Sequence, residues 1–428
     1  SIPNGSNMHR NVFFKDRAPA FAFSSFDSIK PEDLWTYMEI QRNQGIDVMA
    51  IPHNSNVSNG WMFSENKFLG EAMDARYARR QSENEPLFEI AQTKGSSDTH
   101  PILSPNDEFS DFERFDNMIS LGLPAKKDAG AFYRTGLAVG MKLEKTLGYN
   151  PYKMGAVAGA DVHSAMSMNE EWNWQGAHGA QDDTPQKRLN PIPNASGENG
   201  YTVSSAATTA VWAEENTRES IFNAMKNRET YGTSGTRIRL RFFAGWGLPQ
   251  GIINDKEFIE KAYASGVPMG QDLPTKSSDN TAKAPTFAVW AMKDPESGNL
   301  DRVQIIKVWP NTANGYPMEK IYDVVWGDAD KRKPNPDTGK LPPIGNTVNI
   351  KRATYTNDIG DSQLKATWTD PEFDPNTPVA YYVRVLEIPT PRWSTYDAVK
   401  LGVNVPEGVP PTIQERAWSS PIWYTPKQ

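Results

Sequence analysis

The stretch YKMGAVAGADVHSAM, Tyr152–Met166, decides how this chain is read. A run of small apolar residues stops at Asp161, and His163 follows two positions later. An apolar run that ends in polar residues is the pattern of a short buried strand whose far end carries function. In an extended chain, positions i and i+2 lie on one side, so Asp161 and His163 are expected to face a common point. A carboxylate beside an imidazole suits Zn, Mn or Fe. The competing reading is a histidine held by a local carboxylate, and a lone D-x-H does not decide between them.

Working outward, four of the five histidines (His9, His53, His100 and His163) stand at ends of β-like runs or in the loops beside them. His53 in AIPHNSN closes an apolar run, with Asn54 next to it as a candidate substrate contact. Glu89 in PLFEIAQTKG lies within an otherwise apolar segment, where an unpaired carboxylate is costly to bury and a bound cation would compensate it. His9 in NMHRNVFF precedes a strand, and Arg10 beside it makes the pair candidates for ligation or for substrate contact. Beyond Glu89 come Lys94, Ser97, Asp98 and His100. A glycine-flanked lysine with hydroxyls nearby is able to hold an anion such as phosphate. A solvated turn with a capping serine explains the same residues. His178, in WNWQGAHGAQDD, reads as an idle or a lid residue. Each histidine alone is more often structural; the set points to a site.

The chain has 428 residues, beyond the usual size of one hydrophobic core, and two domains are expected. Up to residue 236 short strands alternate with helical segments such as KPEDLWTYMEIQRNQG, where Pro31 opens and Gly45 stops the helix. AGAFYRTGLAVGMKLEKTLG reads as another helix, and Asn216 with Glu219 as a capping box for a third. That alternation predicts βα units and a parallel sheet or barrel over 1–236. From 237 to 428, runs such as PTFAVWAMK, DRVQIIKVWP and VAYYVRVLEIP predict an antiparallel β-sandwich. The polar loop 182–199 is long enough to be functional.

Composition removes several chemistries. The net charge of −7 speaks against non-specific nucleic-acid binding, which needs a basic footprint. With no cysteine, disulfides, iron–sulfur clusters and thiol nucleophiles are excluded together. No apolar run approaches the roughly twenty residues of a membrane span. No G-x-S-x-G elbow, phosphate-binding Walker loop or G-x-G-x-x-G follows a strand. The start reads as a loop entering a strand with no initiator Met, as expected of a processed or truncated chain.

The segments NMHRNVFF, AIPHNSN, FEIAQTKGSSDTHPILSPNDEF, GADVHSA, RETYGTSG and RVLEIPTPRW together resemble a large bacterial family of unknown function (domain of unknown function 3604), related to the PHP (polymerase and histidinol phosphatase) superfamily of metal-dependent hydrolases. The resemblance implies a distorted β/α barrel with two or three divalent ions at its strand ends. On that template Glu89, His53, Asp161 and His163 would be ligands, His9 a ligand or an outer contact, and Lys94 and Arg10 anion holders. A metal-bound hydroxide would attack a phosphoester, an amide or a sulfate ester. Asp161 is carried over as both ligand and catalytic group, and Ser97, Asp98, His100 and Asn54 as substrate contacts. Superfamily members usually open with a His-x-His pair, which this chain lacks. That implies an incomplete barrel, or a separate N-terminal fragment that supplies the pair. The resemblance also implies an exported, periplasmic or secreted protein, an anionic small-molecule substrate and possible homo-oligomers. The alternative is a non-catalytic carbohydrate- or protein-binding protein.

Overall fold

The computed structural model describes residues 6–68, 70–119, 122–166, 168, 170–189, 200–205, 207–276 and 280–426. Residues 190–199 of the polar loop singled out above therefore lie outside the described residues.

Period-two alternation builds the centre of the molecule. In the strand Val379–Glu387, Val379, Tyr381, Val383 and Val385 enter one hydrophobic core while Ala380 and Tyr382 enter another. The strand Leu300–Pro310 does the same, with Val303 and Ile305 on one face and Ile306 and Val308 on the other after a bulge at Val303/Gln304. These strands lie in a seven-stranded antiparallel sheet. One face packs on a four-stranded antiparallel sheet that includes Arg239–Gly245 and Thr286–Met292. The other face is covered by the helix Tyr133–Leu147, whose Leu137, Met141 and Leu143 share the core with Ile306, Tyr382 and Trp418. Gly148 ends that helix in the left-handed conformation. The sheet also takes in Thr208–Val211 and Thr230–Thr233, so segments on either side of residue 236 are hydrogen-bonded together.

Among the described residues the strands of 1–236 form no closed barrel, so the PHP-like or TIM-like β/α barrel expected there is overturned by the strand pairing. Arg10–Phe14 and Val48–Pro52 flank the helix Pro31–Asn43, as the alternation predicts, yet they pair antiparallel. The segment 15–30 is long enough for the chain to reverse before the helix begins. Alternation of elements fixes their order and leaves strand direction open. Among the described strands only Leu87–Glu89 and Gly155–Val157 pair parallel. The third helix, Arg218–Lys226, starts one residue later than its capping box predicts: Thr217 is the N-cap and accepts from Ser220 N.

A buried ionic knot joins the sheet to the loop after Ser97. Arg134 donates to Asp98 and Asp107, and Arg384 donates to Asp107 through both terminal nitrogens at 2.7 and 2.8 Å. Tyr382 and Trp418 add donors to Asp98. Nearby in the sheet, Glu387 is fully buried, and Ser297 donates to its Oε2. Burial pushes its pKa up to about 8, far above its usual 4.5. The folded state therefore holds this proton where the unfolded chain has lost it. The resulting stability is full below about pH 4.5 and is lost as pH rises through about 8. Glu387→Gln is expected to flatten that decline, gaining on the order of a few kcal/mol relative to wild type at pH 8. Urea midpoints at pH 5 and pH 8 check this; an equal decline in both proteins contradicts it.

Candidate functional site

The parallel pair creates the site. Leu87–Glu89 and Gly155–Val157 run side by side in register, with Glu89 opposite Val157. The pairing continues past the strand ends through Ile90 N to Val157 O, Gly159 N to Ala91 O and Thr93 N to Ala160 O. Lys94 and Asp161 are thus delivered next to each other. Lys94 stands at the tip of a tight hairpin, Ala91–Gln92 with Gly95–Ser96. Gly95 turns it with φ +83°, and a Cβ there would lie 2.3 Å from Glu113 O.

Lys94 Nζ is hydrogen-bonded to Asp161 Oδ2. The other carboxylate oxygen of Asp161 is 3.5 Å from His163 Nε2. The backbone of Asp161 is in the left-handed region, φ +47°, so the Asp–His proximity comes from a turn and not from the extended alternation that its spacing suggested. Burial alone would raise the Asp161 pKa. The Lys94 ammonium, then His53 and His163, outweigh that and hold it below the usual carboxylate value.

The second half of the cluster comes from the end of Val48–Pro52. His53 Nδ1 lies 3.4 Å from Glu89 Oε1. Gln92 Nε2 donates to the same Glu89 oxygen at 3.1 Å and is 3.4 Å from His53 Nδ1, while its Oε1 accepts from Lys94 N. One amide therefore ties the lysine hairpin, the glutamate and the histidine together. The ring of His9 lies 5.7 Å from that of His53. Crowding by protein atoms, then the neighbouring His53, pull the His9 pKa down to about 4, although the residue is solvent-exposed; His9 is neutral at pH 7.

The other predicted residues make different contacts. Arg10 is bound by Glu85, which also accepts from Trp35 Nε1. Ser97 Oγ donates to Asn56, and the carbonyls of Ser97 and Asp98 accept from the first N–H groups of the helix at Tyr133 and Arg134. Asp98 belongs to the ionic knot. His100 accepts from Ile102 N and lies 3.5 Å from Asp116. Asn54 sits beside His53 in the left-handed conformation, 1% exposed.

Two residues at the site were passed over in the sequence. Gln92 looked like an ordinary loop amide, and only its place between Glu89 and Lys94 could have marked it. Gly159 looked like one more small residue. A Cβ on it would lie 2.5 Å from Glu89 Oε2, so the glycine makes room for that carboxylate. His178 packs its ring 5.0 Å from His163 and its Nδ1 3.3 Å from Asp182.

The donors suit a divalent ion in kind: two imidazoles and two carboxylates. His53 Nε2 is buried and has no hydrogen-bond partner among the described residues, so one imidazole nitrogen is free to ligate. Asn54 Oδ1 and Ser55 Oγ, the next two residues, are bare in the same way. Among the described residues no three His, Asp or Glu groups already converge in a form that could hold an ion. The donors stand as two pairs, and Lys94 supplies the counter-charge of Asp161.

Among the described residues no helix is long and apolar enough to cross a membrane. A model of the family described as "Protein of unknown function (DUF3604)" matches residues 1–426, nearly the whole chain. No curated protein and no solved structure matches it.

Proposed function

We propose, for a chain that belongs to the DUF3604 family of unknown function, a metal-dependent hydrolase acting on anionic esters, phosphoesters first among them. The observation that carries this reading is the meeting of His53 with Glu89, Asp161 with His163, and Lys94 with Asp161 at the end of one parallel strand pair. So many titratable groups in one place are more common at working sites than in packing. Kinship with the PHP hydrolases, suggested by the same segments, is part of the proposal.

His53, Glu89, Asp161 and His163 would hold the divalent ion or ions, of the Zn, Mn or Fe kind. A bound ion of this class lowers the pKa of water and polarises the ester oxygen. The chain's own residues do the rest. Gln92 fixes the Glu89 carboxylate and the His53 ring, so two donors keep one orientation. Lys94 would exchange Asp161 for the anionic oxygens of the substrate, holding them as a point charge. With Arg10 bound by Glu85, anion holding falls to Lys94. His9, neutral at pH 7, keeps one ring nitrogen able to accept a hydrogen bond from the substrate.

Hydrolysis of phosphate monoesters and diesters, with sulfate esters and anilides run alongside, tests the reading. Turnover that a chelator abolishes and Mn²⁺ or Zn²⁺ restores is the expected result. A folded protein with no metal-dependent turnover of any of them overturns it. Gly159→Ala and Gln92→Ala are each expected to lower metal affinity or activity about 10–100-fold, since both act on the placing of Glu89. Metal titrations of the two variants against wild type check that figure; unchanged affinity contradicts it.

A further inference from the structure

His9 has a second setting: it also lines a cleft of about 230 Å³ bounded by the strand Arg10–Phe14, the start of the helix Pro31–Asn43 and the loop between them. Val12, Phe23, Ile29 and Leu34 make its apolar side. Lys30 and Ser25 stand on its polar side. Lys30 is half-buried and forms no ion pair among the described residues. The same loop exposes the rings of Phe21 and Phe26 and leaves Ile29 45% exposed. Apolar surface concentrated in this way is a mark of binding. A cavity of about 150 Å³ is enough for benzene, so this cleft has room for a substituted ring or a short aliphatic chain.

The cleft and the candidate site share a wall, because the His9 ring lies 5.7 Å from His53. We infer that the substrate is the ester of an aromatic or medium-length aliphatic alcohol, and that this cleft seats the alcohol while the anionic end turns towards His53 and Lys94. The inference rests on the hydrolase reading. In the reaction, water oxygen bonds to phosphorus and the water gives up one proton, the bond from phosphorus to the alcohol oxygen breaks, and the departing alkoxide takes up that proton to leave as the alcohol. The Lys30 ammonium favours approach of the anion. The apolar wall separates a large alcohol from a small one by the area removed from water.

Benzyl phosphate and methyl phosphate test this, since both release a primary alcohol and differ in the apolar body. Wild type is expected to show a KM for benzyl phosphate about tenfold or more below that for methyl phosphate. Ile29→Asp puts a charge on an exposed part of the wall and is expected to remove most of that preference. Ile102→Asp, which places the same charge at a more exposed isoleucine outside the cleft, is expected to keep it. Calorimetry with benzylphosphonate, which cannot be hydrolysed, gives an independent reading. If it binds wild type and binds Ile29→Asp about tenfold more weakly while no ester is cleaved, the cleft stands and the hydrolase reading falls. Equal KM values for the two phosphates, unchanged by Ile29→Asp, overturn the cleft and leave the hydrolase.

Discussion

Asp107→Asn is expected to destabilise the folded chain by about 3–5 kcal/mol. Asp107 accepts from Arg134 at 2.8 Å and from both terminal nitrogens of Arg384, and the three side chains are 1% exposed or less. The amide keeps the shape and removes the charge, so two buried guanidinium groups lose a shared counter-ion. Gln304 and Asp98 stay with Arg384 and Arg134 and satisfy part of their donors, which keeps the loss within that range. Burial alone would raise the Asp107 pKa, but Arg384 and Arg134 outweigh it and hold it well below the carboxylate range. A folded pKa below the unfolded one stabilises above about pH 4, and that stability is lost as pH falls through the folded value. The variant is therefore expected to lose part of the acid sensitivity of wild type as well as stability. Chemical denaturation at pH 7 measures the loss of stability, and its change between pH 4 and pH 2 measures the acid sensitivity. A variant within about 0.5 kcal/mol of wild type would show that the knot contributes little.

The second large effect concerns the site. Asp161→Asn is expected to lower kcat/KM for the ester about 10²–10⁴-fold. On the proposed reading the substitution weakens a donor to the metal, and it deprives Lys94 of its ion pair. Stability is expected to change by about 1–2 kcal/mol at most, because the Asp161 side chain is 21% exposed and solvent screens the pair. A large loss of turnover with a small loss of stability separates a working residue from a structural one. Equal kcat/KM in the two proteins removes Asp161 from the chemistry.

How far the sequence could be read differs from element to element. The helix Pro31–Asn43 was legible because Pro31 and Gly45 are local signals, and Tyr133–Leu147 lies within the run AGAFYRTGLAVGMKLEKTLG that reads as helical. Glu89 was read as lying within its apolar run, whereas the strand ends on it, and the closeness of Asp161 to His163 was expected from an extended backbone where the structure has a turn. Strand direction was not legible. It depends on the segment 15–30 and on which edge the returning chain meets, and no residue in that segment announces it. Gln92 was hidden because an amide in a turn is ordinary; its three partners come from the residue after Val48–Pro52, from Leu87–Glu89 and from its own hairpin. Asp98 and His100 looked like site residues because they are polar and close to Lys94 in sequence. Their partners, Arg134, Tyr382 and Asp116, lie far along the chain, and only the tertiary fold brings them near.

Metal content tests the central claim most directly. Wild type and Glu89→Gln would be purified without chelator, dialysed against Mn²⁺ or Zn²⁺ and then against metal-free buffer, and analysed for bound metal. Wild type is expected to retain about one ion or more per chain, and Glu89→Gln to lose most of it. No stoichiometric metal in wild type, or the same content in both proteins, would contradict a metal site built on His53, Glu89, Asp161 and His163.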